Sequence, residues 1–518
     1  SGTLWIVEPL NLVTDGLVHP RSIRVVDNFL VPGGFLGLPV IYGTIAKAAG
    51  GGIIPFLTPL FSVLAVVAWG LLVASRFGRK TGVGAAVLLA AHPAWWYESS
   101  RTMLPNVLFC AFLISSAWLF FATPIRSVIE RGGREGLPLF RKADAALAGV
   151  CIALALAVRT AEAYWIALGI VALAASAWKR VPWTRLAVFA AAAVLSFAPF
   201  LILNQAVYGH PFATGYGSGL AVPVGELPHG RGDALLGPLR PLLFPLGFAP
   251  RTALANFWTY GVGFFWWWSI LVACGVAAFV LTARRRKVKW SGDAKSIAIA
   301  GVAVTAWLVL FYGSWSVQDN PDPSAVTIGS SYLRYWLPVF ALSTLPVAWL
   351  MRTAAETVRP RALRPLLALM LFCYLGASAA DVFWAPGEGL AAVRSELRRY
   401  DGIVKEIVAK TPQDSLIIVD RADKYVFPDR SVITPLRSET TYAALPVLSR
   451  RAAGLYYFGM TFPDTDLEWL RTVKLPPLGL SIDPVATFGE ETLYELPRIT
   501  DGSAPGADAP PIMPYTDR

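Results

Sequence analysis

Ten stretches of this chain stay apolar over lengths that approach 20 residues, and nothing else in the sequence constrains its fold as strongly. They lie at roughly 53–75, 82–98, 104–123, 143–159, 161–178, 186–205, 258–283, 296–313, 332–351 and 365–384. An α-helix of about 20 apolar residues crosses the hydrocarbon core of a bilayer. Composition agrees: of 518 residues, 55% are hydrophobic and 15% charged, whereas soluble domains are about a quarter charged. A soluble globular chain is excluded. The expected class is a polytopic α-helical membrane protein of about ten spans.

The connectors set its orientation. "SRFGRK", "RSVIERGGREGLPLFRK", "KRVPWTR", "RRRKVKWSGDAK" and "RTAAETVRPRALR" hold about twenty Lys and Arg, against about six in the opposite short loops. By the positive-inside rule the basic set is cytoplasmic. The net charge of +11 is then a topology signal, and no nucleic-acid partner is expected. "YESSR" at 97–101, residues 1–52 and everything after about 385 fall outside, and the aromatics of "WWYE" read as part of an interfacial belt. The chain opens on Ser1 with no signal-peptide pattern, so a transmembrane helix or cleaved leader is expected upstream of it.

Charge placement narrows the function. No Asp, Glu, Lys or Arg falls near the middle of a predicted span. Those that touch the membrane, Glu98, Arg101, Arg159, Glu162, Arg334 and Asp381, sit near outer ends. Ion-coupled transporters usually carry ionisable groups near the midplane on repeated halves, and this chain shows neither. Any chemistry is expected at the outer face. Cys110, Cys151, Cys274 and Cys373 lie inside apolar runs and read as small core residues. The histidines lack ligand spacing, so no metal site is expected; His92, before Pro93, reads as a helix-end residue.

The expected domains are a first outer loop at 1–52 with interfacial helices, a transmembrane bundle at 53–386 with an outer loop at 206–256, a soluble α/β domain at 387–497 and a disordered tail at 498–518. "GLAAVRSELRRYDGIVKEIVAK" places Leu390, Val393, Leu397, Val404 and Ile407 on one helical face, and "SLIIVD", "SVIT", "GLYYFGM" and "TLYEL" read as strands.

Among outer carboxylates, Glu8, Asp15, Asp27, Glu98, Glu162, Asp319 and Asp322 each also read as solvated loop charges, Glu98 with Arg101 as a helical pair, and Asp319 with Asp322 as turn formers. Arg159 and Arg334 read equally as snorkelling cations or as a phosphate grip, since guanidinium groups fork onto phosphate oxygens. Basic groups gathered on the face where they are scarce favour an anion there.

Four stretches then resemble one superfamily. "HPAWWYESSRTMLPNVLFCAF" is similar to the second outer loop and following helix of the C-type (GT-C) glycosyltransferases, and "GVCIALALAVRTAEAYWIAL" to their Gly-rich helix ending in a basic residue. "NQAVYGHPFATGY" resembles their Asn…Tyr-Gly-x-Pro-Phe…Gly-Tyr pattern, and "YLRYWLPVFAL" their Arg-Tyr…Pro helix. These are membrane enzymes that use polyprenyl-phosphate-linked sugars, among them protein O-mannosyltransferases and lipid A aminoarabinose transferases. One departure stands out: the adjacent Asp-Glu pair of the superfamily's first outer loop is absent here. Glu8 stands nearest that place, so either Glu8 takes the role, or the pair lies upstream of Ser1, or the chain lacks the activity.

The resemblance implies a GT-C-like bundle whose first family helix precedes Ser1, and a single displacement at the anomeric carbon. It implies Glu8 as base, with Asp15 and Glu98 as fallbacks; Arg334, Arg159 and Arg101 on the lipid phosphate; and Tyr208, Gly209, His210 and Tyr216 as a substrate loop. Implied partners are a polyprenyl-phosphate sugar, an acceptor lipid, glycan or protein, and membrane lipids. No cofactor is expected; divalent-metal dependence stays open with the number of phosphates on the lipid. A non-catalytic subunit of the same fold and a lipid or solute transporter are the rival readings.

Overall fold

The computed structural model describes residues 3–101, 103–122, 138–176, 183–216, 247–285, 292–317, 325–357 and 360–499. Asp319, Asp322, most of the 206–256 loop and nearly all of the 498–518 tail lie outside those residues.

Helices fall where the apolar runs predict them. Gly51–Phe77, Pro105–Ala122, Trp183–Tyr208 and Leu337–Glu356 are each long and apolar enough to cross a membrane. Proline and glycine shape the remainder. Helix Arg79–Ala91 stops at His92, whose ψ of 126° is extended, because Pro93 crowds the residue before it out of the α region. Pro93 then opens helix Pro93–Ser100, where its missing N–H is no loss. His92 is thus a helix-junction residue, fully buried and stacked on Phe340 with ring centroids 4.6 Å apart.

Besides the run 82–98, split at His92, two more spans differ from their predicted course. The run 258–283 is not one helix: Pro250–Gly263 and Trp266–Thr282 meet at 93°, so the first piece turns off the axis of the second. The run 332–351 is broken too, into Ser331–Tyr335 and Leu337–Thr357 with Trp336 between them. By contrast, Lys142–Val158 and Thr160–Ala175 bend by 118° at Arg159, the near-loopless joint read from the sequence.

Aromatic residues 95 and 97 do not form an interfacial belt. Trp95 and Tyr97 are buried, because each polar tip finds a partner inside: Trp95 Nε1 donates to Ser62 Oγ at 2.9 Å and Tyr97 Oη to the Glu388 carbonyl at 2.9 Å. Nor do all the cysteines pack in the core. Cys110 is buried, but Cys274 and Cys373 are exposed on helix surfaces, where a weakly polar thiol sits comfortably against lipid.

The first segment holds more than interfacial helices. Strands β1 (Ile6–Val7), β2 (Ile23–Val26) and β3 (Phe29–Pro32) form an antiparallel sheet in the order β1-β3-β2. Asp27 and Asn28, with φ of 48° and 68°, make the two-residue turn between β2 and β3. The amphipathic stretch read from the sequence is helix Gly37–Ala49, seated on the bundle at Gly37. A Cβ there would stand 2.3 Å from the Ala157 carbonyl carbon, so only glycine allows this approach.

The C-terminal part is an α/β sheet of β4 (Leu416–Val419), β5 (Ser431–Ile433), β6 (Leu455–Met460), β7 (Asp483–Phe488) and β8 (Glu491–Glu495), in the order β5-β4-β6-β8-β7. Leu416 and Ile418 join one core while Ile417 and Val419 join the other, as a strand covered on both faces requires. One core is closed by Tyr442, Leu445 and Leu448 of helix Glu439–Arg451, the other by Ile403 and Ile407 of helix Leu390–Lys410. Leu397, expected on that helix's buried face, is 50% exposed. The helix meets the sheet only through its second half.

Candidate functional site

The charges at the domain-bearing end of the bundle gather around Arg159. The bend there leaves Arg159 non-helical, with φ −149° and ψ 84°, and turns its side chain inward until 7% of the residue is exposed. All three guanidinium nitrogens find acceptors. Nε donates to Glu162 Oε1 at 2.6 Å, Nη1 to Asn106 Oδ1 at 3.3 Å and Nη2 to Tyr312 Oη at 3.2 Å. Glu162, also buried, accepts in addition from Tyr312 Oη at 2.5 Å and from the Trp165 indole. A buried ion pair tolerates its desolvation only with such a full set of hydrogen bonds.

Arg334 stands next to this cluster with a different exposure. It is partly exposed in the short helix Ser331–Tyr335, and its Nη2 donates to Ser331 Oγ. Its guanidinium lies 5.3 Å from the Tyr335 ring centroid, and that of Arg159 lies 4.9 Å from the same ring. Tyr335 in turn stacks on Tyr312 at 4.4 Å. The two arginines read from the sequence as a pair therefore share one aromatic ring.

Arg101, the third predicted arginine, follows the end of helix Pro93–Ser100 and sits over the Tyr97 ring at 5.4 Å. Its Nη1 is buried and has no hydrogen-bond partner among the described residues. Tyr97 also lies within electrostatic range of Glu98 and Glu388. Glu98 is fully buried, and Glu388 accepts a hydrogen bond from Thr327 Oγ1.

The other predicted carboxylates are elsewhere. Glu8, the expected base, is 9% exposed at the seam with the C-terminal sheet. It accepts from Ser431 Oγ at 2.7 Å and from the Leu10 amide at 3.2 Å. Leu10 and Val18 complete one core of that sheet, and Arg21 clasps buried Asp423 at 2.6 Å. This part of the first segment is an anchor, and Glu8 belongs to it. Asp15 is exposed in a left-handed position after the short helix Asn11–Thr14.

The predicted substrate loop braces the first segment. Tyr208 Oη donates to the carbonyls of Pro32 at 2.7 Å and Gly34 at 3.1 Å. Gly215 N donates to Gly34 O at 3.0 Å, and Tyr216 packs its ring on Phe35 at 5.2 Å. Gly209 adopts φ 78°, and His210 Nδ1 accepts from the Phe212 amide at 3.2 Å. A small cavity lies between these parts, lined by Phe35, Leu36, Thr160, Asn204 and Thr214. It adjoins the Arg159 bend. Among the described residues, no three His, Cys, Asp or Glu side chains gather as metal ligands.

Asn106, Tyr312 and Tyr335 were not singled out from the sequence. Asn106 carried a signal: an amide in the first turn of an otherwise apolar helix, directly after Pro105. Tyr312 had none, because a tyrosine at the end of an apolar run looks like an interfacial residue.

The fold is that of the GT-C class of membrane glycosyltransferases. The chain superposes on the crystal structure of ArnT from Cupriavidus metallidurans bound to undecaprenyl phosphate with a TM-score of 0.53 and 14% identity, over 89% of this chain and 88% of that one. On the apo form of the same ArnT the score is 0.50 at 12% identity, over 89% and 87%. ArnT is a lipid A aminoarabinose transferase. At such identities the likeness is one of fold; the four described helices long and apolar enough to cross a membrane agree with it. No family model matches the sequence, and no curated protein does.

Proposed function

We propose that this protein is a membrane glycosyltransferase that moves a sugar from a polyprenyl-phosphate donor to an acceptor on the extracytoplasmic face. The observation that carries the reading is the pair of guanidinium groups on Tyr335, one saturated and buried, the other partly exposed. The ArnT neighbour bound to undecaprenyl phosphate supports the donor class, and the basic connectors support the sidedness.

In this reading Arg334 takes the lipid phosphate, and Arg101, whose buried Nη1 lacks a described partner, assists. An acceptor oxygen attacks the anomeric carbon, the bond from that carbon to the phosphate oxygen breaks, and the phosphate leaves with the electron pair. Arginine is suited to hold the charge that grows there, because its fork matches phosphate oxygens and it stays protonated. The acceptor's proton passes to a carboxylate. Glu98, the one of the three predicted carboxylates that lies beside Arg101 and Tyr97, is assigned that role. Arg159 keeps the ring in place and does not bind donor. The Tyr208–Tyr216 stretch frames the acceptor side through its hold on the first segment. No cofactor is assigned.

The non-catalytic reading has one observation in its favour: Glu8 is engaged with Ser431 of the C-terminal sheet and Asp15 is exposed after a short helix. Purified protein in nanodiscs, given a radiolabelled polyprenyl-phosphate sugar and candidate acceptors, separates the two. Transfer by the wild type, with Glu98→Gln and Arg334→Ala at least about 100-fold slower, is the expected result. A donor left intact by the wild type with every acceptor favours the scaffold, and donor translocated without sugar transfer favours a carrier.

A further inference from the structure

We propose that Asn106 is a positioning residue that fixes the backbone beneath Arg334; this rests on the reading above that Arg334 takes the lipid phosphate. Pro338 interrupts the hydrogen-bond ladder below Arg334. In a continuous helix the carbonyl of Arg334 would accept from the amide four residues on. That residue is Pro338, which has no N–H to give. The freed carbonyl accepts instead from Asn106 Nδ2 at 3.1 Å, across from the start of helix Pro105–Ala122.

The other end of the same amide is held as firmly. Asn106 Oδ1 accepts from Arg159 Nη1 at 3.3 Å, and Arg159 is held by Glu162 and Tyr312. A cation on one side and a carbonyl on the other leave a single amide orientation: oxygen toward Arg159, nitrogen toward Arg334. Asn106 is 4% exposed, so no water competes for either bond. Aspartate would still accept from Arg159 but would offer the Arg334 carbonyl no donor. Leucine, of nearly the same shape, would do neither. Asn106 itself touches no substrate in this scheme. It sets where the arginine above it stands.

The test measures binding of undecaprenyl phosphate to the full chain in nanodiscs, for wild type, Asn106→Leu, Asn106→Asp, Arg334→Ala and the double variant Asn106→Leu/Arg334→Ala. Asn106→Asp keeps Arg159 paired, so it guards against a simple failure to fold. Agreement between the neutral and charged variants sets aside an effect of added charge. Losing one hydrogen bond to a charged residue's support corresponds to about 10-fold weaker binding in both Asn106 variants, with the double variant no weaker than Arg334→Ala alone. In turnover, the KM for donor rises while that for acceptor does not. Wild-type affinity in both Asn106 variants, or additive losses in the double variant, overturns the inference while leaving the transferase reading intact. A wild type that does not bind the lipid overturns the transferase reading and this inference together, and shows itself in the control arm.

Discussion

Arg159 and Arg334 lie over one ring, their guanidinium carbons 4.9 Å and 5.3 Å from the centroid of Tyr335, yet they have opposite employment. Arg159 is neutralised by Glu162 at 2.6 Å, and every nitrogen it carries is occupied. Arg334 is instead partly exposed.

The two arginines should therefore fail differently. Arg159→Ala strands the Glu162 carboxylate in a buried site and should cost about 3–5 kcal/mol of stability, seen as loss of folded protein in detergent. Arg334→Ala should leave thermal stability within about 0.5 kcal/mol, as partly exposed substitutions usually do, while donor binding collapses. Equal stability losses in both would erase the distinction.

Glu8 gives the sharpest contrast with its sequence-based role. A catalytic base removed by Glu8→Ala would slow transfer by about 100-fold or more. The seam geometry predicts transfer within about twofold of wild type. Ser431 and the Leu10 amide lose their acceptor, an effect of about 1–3 kcal/mol that proteolysis of the first segment would report.

Gly37 links packing to the site. A methyl group there meets the backbone of Ala157 and Val158 at 2.3 Å, immediately before Arg159. Gly37→Ala should destabilise by about 1–3 kcal/mol through forced separation of the two helices and lower transfer with it. Retained melting temperature and activity would place the helix Gly37–Ala49 elsewhere.

Much of this architecture was legible because membrane helices announce themselves by length and charge asymmetry. The near-loopless joint at Arg159 and four of the five C-terminal strands could be read directly. β7 was missed: "DPVATF" carries a proline and a register shift between Pro484 and Ala486, and an edge strand tolerates both. The surroundings of Glu8 were not legible because the sequence reveals a carboxylate's neighbours along the chain, whereas its partner Ser431 is 423 residues away. Asn106 was overlooked for a related reason: its importance comes from a proline in another helix.

The C-terminal sheet makes a pH prediction independent of the membrane part. Tyr400 donates to Glu491 Oε1 at 2.9 Å. Burial first, then this carboxylate, push its hydroxyl up from 10.0 to about 12. A raised folded-state value favours the protonated form, so the contribution is complete below pH 10 and lost as pH rises towards about 12. Unfolding followed across that window should show wild type losing stability and Tyr400→Phe losing less. Identical slopes would contradict the assignment.

Arg334, and not Arg159, is expected to receive the donor's phosphate. A cryo-electron-microscopy structure of the full chain in nanodiscs with undecaprenyl phosphate would show it. Phosphate oxygens are expected about 2.7–2.9 Å from the Arg334 guanidinium, with the Arg159–Glu162 pair undisturbed. A phosphate seated on Arg159, with Glu162 displaced, or bound away from both arginines, would contradict it.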